Sequence, residues 1–366
     1  MKAAVLRSTD KPLQIEELKD PKPKDNEVMV EVNAVGLCHT DLHVLRGHIP
    51  FPLPAVLGHE VSGRVVALGN GVDNVQIGDN VVGPFILPCG RCRLCIRGYE
   101  DLCENFYNYN RLKGVYYDGT SRLVDKDGNT VYMYSMAAHA EYCIIPATSV
   151  FKVADNIKMD SAAILGCAIM TAYGACKNAN LKPSEMVAVY GIGGVGSNVV
   201  QIASKVFNTD VIAIDVRDEK LDYAKMLGAK YTVNSKREDP VKAIMDITDD
   251  EGVDAAIEVI GLKDTISSAI RSVRSGGRAV LVGLSSKGNE AGFEINFVVR
   301  KGVHIIGSYG GKPRIDMPEI IALASKGIID VENVISEQFK LEQVNEAFEK
   351  LEHGGIKGRA VIKLKN

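Results

Sequence analysis

Apolar residues follow two different rhythms along this chain. Up to about residue 150 they come in short, alternating, valine-rich runs broken by glycine and proline, such as EVMVEVNAVGL, EVSGRVVALGNGV and GDNVVGP. Period-two alternation with frequent turn residues predicts short strands, and so an all-β first region. After Pro146 the rhythm changes. From about 158, apolar runs of strand length (MVAVYG, DVIAID, KYTVN, VDAAIEVIG, RAVLVGL and VHIIGSY) alternate with helical stretches that include EKLDYAKMLGA and DTISSAIRSVRSGG. That alternation predicts a parallel sheet wound by right-handed crossovers. Residues 308–366 predict two more helices, MPEIIALASKG and LEQVNEAFEKLEHG, and a closing strand, RAVIKLK. DKDGNT, residues 125–130, predicts a surface hairpin turn.

Size and charge narrow the picture. A chain of 366 residues suits two domains rather than one core. Its net charge is only -3 and no stretch concentrates lysine and arginine, which argues against nucleic acid or an anionic membrane as partner and points to a small molecule. MKAAVLRSTDKPLQIEEL returns to charge too soon for a signal peptide or a membrane anchor, and no later apolar stretch reaches the roughly 18 residues that a span needs. The eight cysteines are Cys38, Cys89, Cys92, Cys95, Cys103, Cys143, Cys167 and Cys176. In a large chain without an export signal they indicate metal binding or catalysis rather than a disulfide framework, and a cytoplasmic location is expected.

MVAVYGIGGVGSNVVQIASKV reads as a buried strand, a glycine turn and an amphipathic helix. Gly191, Gly193 and Gly196 fit G-x-G-x-x-G, with Gly194 and Val195 completing the turn. The first glycine permits the tight turn, the second lets a pyrophosphate approach the backbone, and the third brings helix and strand together. The helix N-terminus offers that pyrophosphate free N–H groups and a positive dipole end. Asp215, nineteen residues after Gly196, ends the next strand, where an acid can bind both ribose hydroxyls of NAD and repels a 2′-phosphate. Arg217 could partly rescue NADP, so NAD is expected with NADP as the alternative.

Cys89, Cys92, Cys95 and Cys103 are spaced C-x2-C-x2-C-x7-C. Two-residue gaps let consecutive thiolates turn back on one ion, and a fourth can close a tetrahedron, which is the pattern of a structural zinc site. An iron–sulfur cluster, a zinc ribbon for nucleic acid and four unrelated thiols are the competing readings. The iron–sulfur run would end in x3-C-P, and net acidity opposes nucleic acid. Cys38 in GLCHTDLH, His59 and Glu60 in VLGHEVSG, and Cys167 in ILGCAIMTAYGA also offer metal-ligand chemistry, but they lie too far apart for spacing to unite them.

Taken in order, GLCHTDLH, GHE, the four-cysteine lobe, GIGGVG and EVIG resemble the zinc-dependent medium-chain alcohol dehydrogenases over nearly the whole chain. The resemblance implies a GroES-like β catalytic domain with the structural-zinc lobe at 1–165, a Rossmann doubly wound parallel-sheet NAD domain at 166–307, and a segment returning to the catalytic domain at 308–366. It implies two zinc ions per chain. Cys38, His59 and Cys167 match the catalytic zinc ligands, and Glu60 matches an acid that can approach that ion. Asp41 matches the carboxylate that orients the ligand histidine. Thr40 and His43 match the hydroxyl and histidine that flank the nicotinamide ribose in the proton exit.

On the coenzyme side, Arg359 matches an arginine that reaches the pyrophosphate, Lys220 one near the adenosine ribose, and Val259 and Ile260 the strand end beneath the coenzyme. His39 matches a position facing the pyrophosphate. An ordinary histidine pKa of about 6.5 leaves it only partly charged at pH 7. The activity implied is hydride transfer between NAD(H) and a primary or secondary alcohol, with the matching aldehyde or ketone. Polyol or hydroxy-metabolite dehydrogenation and semialdehyde reduction are alternatives on the same scaffold, and a non-catalytic scaffold is a further one. A homo-oligomer is implied, a tetramer in preference to a dimer. Residues 104–142 depart from the shorter microbial enzymes, and Tyr107, Tyr109, Tyr116, Tyr117, Tyr132, Tyr134 and His139 are pocket candidates there.

Overall fold

The computed structural model describes residues 1–285 and 288–365. Two compact units divide the chain: Met1–Met170 with Lys312–Lys326 and Val331–Asn366, and Thr171–Gly311 with Gly327–Asp330.

In the first unit the long strand Glu27–Gly36 organises a seven-stranded sheet. Valines and alanines along it are buried almost without a break, because it pairs antiparallel with Val61–Leu68, Tyr142–Pro146 and the closing strand Arg359–Lys363. The chain's end therefore completes a sheet begun near its start, with Val361 opposite Gly36. A five-stranded sheet lies beside it in the order Gln14–Glu17, Lys2–Leu6, Ala55–Val56, Thr130–Met133, Leu123–Val124. DKDGNT joins the last two of these as an antiparallel hairpin, with Gly128 at φ +90°. The β architecture expected of this region holds, with short helical segments set into it. GLCHTDLH forms a helix, His39–Leu45, and a π-helix spans Phe106–Arg111; such turns are too brief to show a period against the surrounding alternation.

The second unit is a six-stranded, wholly parallel sheet. Its strands run Tyr231–Asn234, Asp210–Asp215, Met186–Tyr190, Val253–Glu258, Val273–Leu281, His304–Gly307, which is the order 3-2-1-4-5-6 by sequence within the unit. This is the Rossmann arrangement, in which ligands bind at the carboxyl ends where the order reverses, beside strand 1. Ala188, Ile212, Ile214, Ala256 and Ile244 pack its core. DTISSAIRSVRSGG is helical only as far as Arg271, and Val273 already begins a strand. Among the described residues no single helix is long and apolar enough to cross a membrane.

Candidate active site

Register, rather than sequence proximity, assembles the first donor set. Val35 stands opposite Val61 in an antiparallel pair, so the residues just past Gly36 lie beside those just before Val61. Gly36 N donates to Glu60 O at 2.8 Å, and Cys38 follows two residues later in extended backbone as it caps the His39–Leu45 helix. Gly83 pairs with Val61 on the other side. The turn Ala163–Gly166 rests on Gly83, and a Cβ on Gly166 would come within 2.3 Å of Gly83 O. Phe85 N donates to Gly166 O at 2.9 Å, fixing Cys167 at the third corner. One donor atom from each of Cys38, His59, Glu60 and Cys167 falls within 4.8 Å of all the others, and all four residues are buried.

Electrostatics fit this set to a cation. The Cys167 hydrogen bond, helped by His59 and Arg359, holds Cys38 well below an ordinary thiol despite burial. The same contact, with burial, pushes Cys167 up. Burial lowers His59, but Asp41 and Cys38 outweigh it and raise the imidazole to about 9. Asp41 is wholly buried, and its Oδ1 accepts from His59 Nδ1 at 3.0 Å and from Gly58 N at 3.2 Å. With Nδ1–H committed to Asp41, Nε2 is left as the donor to a metal. Glu60 is ion-paired through Oε1 to Arg359 Nη2, while its buried Oε2 has no hydrogen-bond partner among the described residues. Two thiols, an imidazole and a carboxylate suit zinc, and three protein ligands with a fourth open position are its catalytic pattern.

The second donor set is local. Cys89, Cys92, Cys95 and Cys103 offer sulfurs within 4.8 Å of one another. Backbone N–H groups point at them: Cys92 N to Cys89 Sγ at 3.3 Å, Cys95 N to Cys92 Sγ at 3.5 Å, Cys89 N to Cys103 Sγ at 3.3 Å and Phe106 N to Cys103 Sγ at 3.4 Å. Burial opposes the charge on Cys92, but the backbone N–H groups of Cys95, Glu104 and Leu94 and the Cys95 thiol bring it down to about 6, while burial raises Cys95 and pushes Cys103 up to about 11. Four sulfurs closing on themselves match a structural zinc. Among the described residues there are thus two candidate zinc sites.

The remaining predicted residues fall in both units. Thr40 Oγ1 lies 3.6 Å from Cys38 Sγ. His43 is half-buried, and burial and the neighbouring His48 lower its pKa. His39 is exposed, and Arg359 is buried against Glu60. In the second unit Gly191 turns at φ +94°, where a Cβ would strike Ile260 at 2.4 Å. A Cβ on Gly196 would meet Gly191 O at 1.8 Å, whereas Gly193 faces open space. That is the division of labour a pyrophosphate turn requires, so the residues fit a dinucleotide. Gly194 and Val195 lie within the turn, and Val259 and Ile260 border it. Asp215 Oδ2 accepts from Ile192 N at 2.8 Å, bracing the turn from the next strand, and Lys220 Nζ stands 4.0 Å from the same oxygen.

Two neighbours of the site, Phe85 and Arg111, carried no sequence signal, whereas Tyr134 was a pocket candidate. Phe85 and Tyr134 present ring contacts to His59 at 6.0 Å each, near perpendicular. The Arg111 guanidinium is buried over Tyr134 at 4.2 Å, Phe106 at 4.9 Å and Phe85 at 5.7 Å. Of the seven pocket candidates only Tyr134 is placed against the donor set by a ring contact. Tyr107 is exposed, Tyr116 and Tyr117 donate to the Ile144 and Leu87 carbonyls, and His139 is wholly buried beside Phe348.

The chain is similar to known proteins over its whole length. Residues 24–155 match the family model for the alcohol dehydrogenase GroES-like domain, and residues 194–326 that for zinc-binding dehydrogenases. An alcohol dehydrogenase of Geobacillus stearothermophilus is 40% identical, the match covering 100% of this chain and 99% of that one. Among solved structures, an alcohol dehydrogenase zinc-binding domain protein from Burkholderia ambifaria superposes with a TM-score of 0.94 at 32% identity, covering 100% of this chain and 99% of that one. The benzyl alcohol dehydrogenase of Acinetobacter calcoaceticus gives 0.93 at 32% identity, with the same coverage.

Proposed function

This chain belongs to the zinc-binding medium-chain alcohol dehydrogenase family, and on that premise we propose an NAD-linked enzyme for primary alcohols with an aromatic or apolar body, and for the matching aldehydes. The observation that carries the substrate choice is the pair of rings, Phe85 and Tyr134, set edge-on to His59. They give the surroundings of the metal ligand an apolar, ring-shaped surface, which favours hydrocarbon over polyol. The benzyl alcohol dehydrogenase named above, so similar in fold, supports the same choice.

Cys38, His59 and Cys167 would hold the catalytic zinc, which when bound supplies Lewis-acid polarisation of the alcohol or carbonyl oxygen. Asp41 keeps His59 in one tautomer and orientation. Glu60, held by Arg359, keeps a second carboxylate oxygen within the donor set. Thr40 takes the substrate's proton at Oγ1, and His43 carries it outward. In the second unit Gly191, Gly193, Gly194, Val195 and Gly196 would cradle the coenzyme pyrophosphate, and Asp215 would bind the adenosine ribose. NAD rather than NADP is supported by the Asp215 charge and by Arg217, which is engaged by Glu219 at 2.5 Å. Lys220, Val259 and Ile260 are assigned to the coenzyme's adenosine and nicotinamide sides.

A homo-oligomer is supported by the edge of the second unit's sheet. The last strand, His304–Gly307, leaves Ile305 exposed, and the helix Ile295–Lys301 exposes Ile295 and Val299, a row suited to a second copy. Light scattering separates dimer from tetramer. A cytoplasmic location is supported by eight cysteines that are all free.

One observation favours a second reading. A guanidinium buried among Tyr134, Phe106 and Phe85 suits a substrate with a carboxylate, such as a semialdehyde. Steady-state kcat/KM on benzyl alcohol, hexanol, sorbitol, threonine and short semialdehydes, with each coenzyme, decides the matter. We expect benzyl alcohol to exceed sorbitol by roughly tenfold or more. Preference for sorbitol or threonine sinks the proposal, and a semialdehyde preference that Arg111→Gln abolishes establishes the second reading.

A further inference from the structure

His43 has an outward neighbour. The turn after its helix passes through Gly47 at φ +69°, and Ile49 N donates back to His43 O at 3.1 Å, which folds the intervening segment over the helix end. His48, exposed on this turn, thereby sets its Nδ1 3.3 Å from Nδ1 of His43, with the ring centres 5.6 Å apart. We propose that His48 is the outer station of the proton exit, taking the proton from His43 and passing it to water or buffer. The inference rests on the dehydrogenase reading with His43 in the relay.

An imidazole conducts a proton by accepting it on one nitrogen and releasing another from the opposite one. Facing Nδ1 atoms mean that one neutral ring donates its N–H to the other, and each Nε2 remains for a second partner. A proton arriving at Nε2 of His43 leaves that ring with two N–H groups. Its Nδ1 proton then crosses to Nδ1 of His48, breaking one N–H bond and forming one. His48 next gives up its Nε2 proton to water. One proton has entered and one has left, each ring has exchanged tautomers, and no oxidant or reductant is consumed.

The surroundings favour outward movement. Burial disfavours charge on His43, His48 adds to that, and Cys38 on the inner side opposes it. His48 is exposed, and Glu352, whose carboxyl is held low by Arg46, feels His48 and His353 as neighbouring charges. Arg46 is itself engaged by Glu352 and lies 3.7 Å from Asp10. A charge on the outer ring thus meets solvent and a carboxylate, whereas a charge on the inner ring meets burial.

The test is single-turnover proton release from holoenzyme, NAD and benzyl alcohol, followed with a pH indicator in weak buffer near pH 7 alongside NADH absorbance. His48→Ala and His48→Gln are expected to slow proton release by roughly threefold to tenfold, and rising HEPES concentration is expected to restore it. A merely structural role would not be rescued by buffer. Release at the parental rate in both His48 variants while His43→Ala is slow overturns the His48 proposal alone. A parental rate in His43→Ala overturns the relay through His43 and the inference with it.

Discussion

The two donor sets of the first unit hold similar atoms by opposite means. The four-cysteine lobe is closed within the segment Cys89–Cys103, and its sulfurs are steadied by the N–H groups of their own loop. Cys38, His59, Glu60 and Cys167 come from three distant segments, and what steadies them is side chains: Asp41 on His59 and Arg359 on Glu60. A local loop of this kind gains order from its ion. A set held by sheet register is already in place, so its ion can be spent on an open coordination position and chemistry.

The largest expected effect comes from removing one distant ligand. Cys38→Ala should lower kcat/KM by about 10³ or more, since several kcal/mol of charge stabilisation go with the ion, yet leave one zinc per chain by metal analysis. Two zincs, or parental activity, would show that the buried set is not the working site.

Asp41→Asn sharpens the contrast in support. At pH 9 it should weaken metal retention at the buried set by about tenfold to a hundredfold without touching the four-cysteine lobe. Asp41 raises His59 to about 9, so between pH 7 and 9 protons compete with the metal and affinity climbs with pH. Without that carboxylate, burial is opposed by Cys38 but no longer by Asp41, so His59 should fall, the climb should flatten and the penalty at pH 7 should be smaller than at pH 9. Competition with a chromophoric chelator across that range reads both.

The smallest effect on chemistry should come from the lobe. Cys92→Ser should lower Tm by on the order of 10 °C, at about 2–4 °C per kcal/mol, and open the loop to protease, while the folded fraction keeps kcat within about twofold. If kcat falls as far as in Cys38→Ala, the division into a local scaffold ion and a distant working ion is wrong.

How much was legible follows from how each feature is written in the chain. The six strands of the parallel sheet are apolar runs of strand length, and each of those expected lies where its run stands. The helix at GLCHTDLH was hidden, because His39–Leu45 is under two turns long, and SVRSGG was misread because its strand begins directly where the helix stops. The four-cysteine lobe and the glycine turn were legible as spacing. Cys38, His59 and Cys167 were legible only through likeness to a family, since no local rule links them. Arg111, Phe85 and the contact between His48 and His43 were not legible at all: a lone arginine, phenylalanine or histidine in a loop carries no period and no spacing.

By itself the sequence determined whatever depends on neighbours along the chain: strand and helix rhythm, the glycine turn with Asp215 after it, and four thiols spaced to meet. The tertiary structure alone decided which distant groups share a charge. Antiparallel register set Cys38 beside His59, packing of Gly166 on Gly83 brought Cys167 to them, and burial then made Asp41 lift His59 and made two thiols share one proton. Electrostatic coupling depends on distance and on exclusion of water, and neither is written in the spacing of residues.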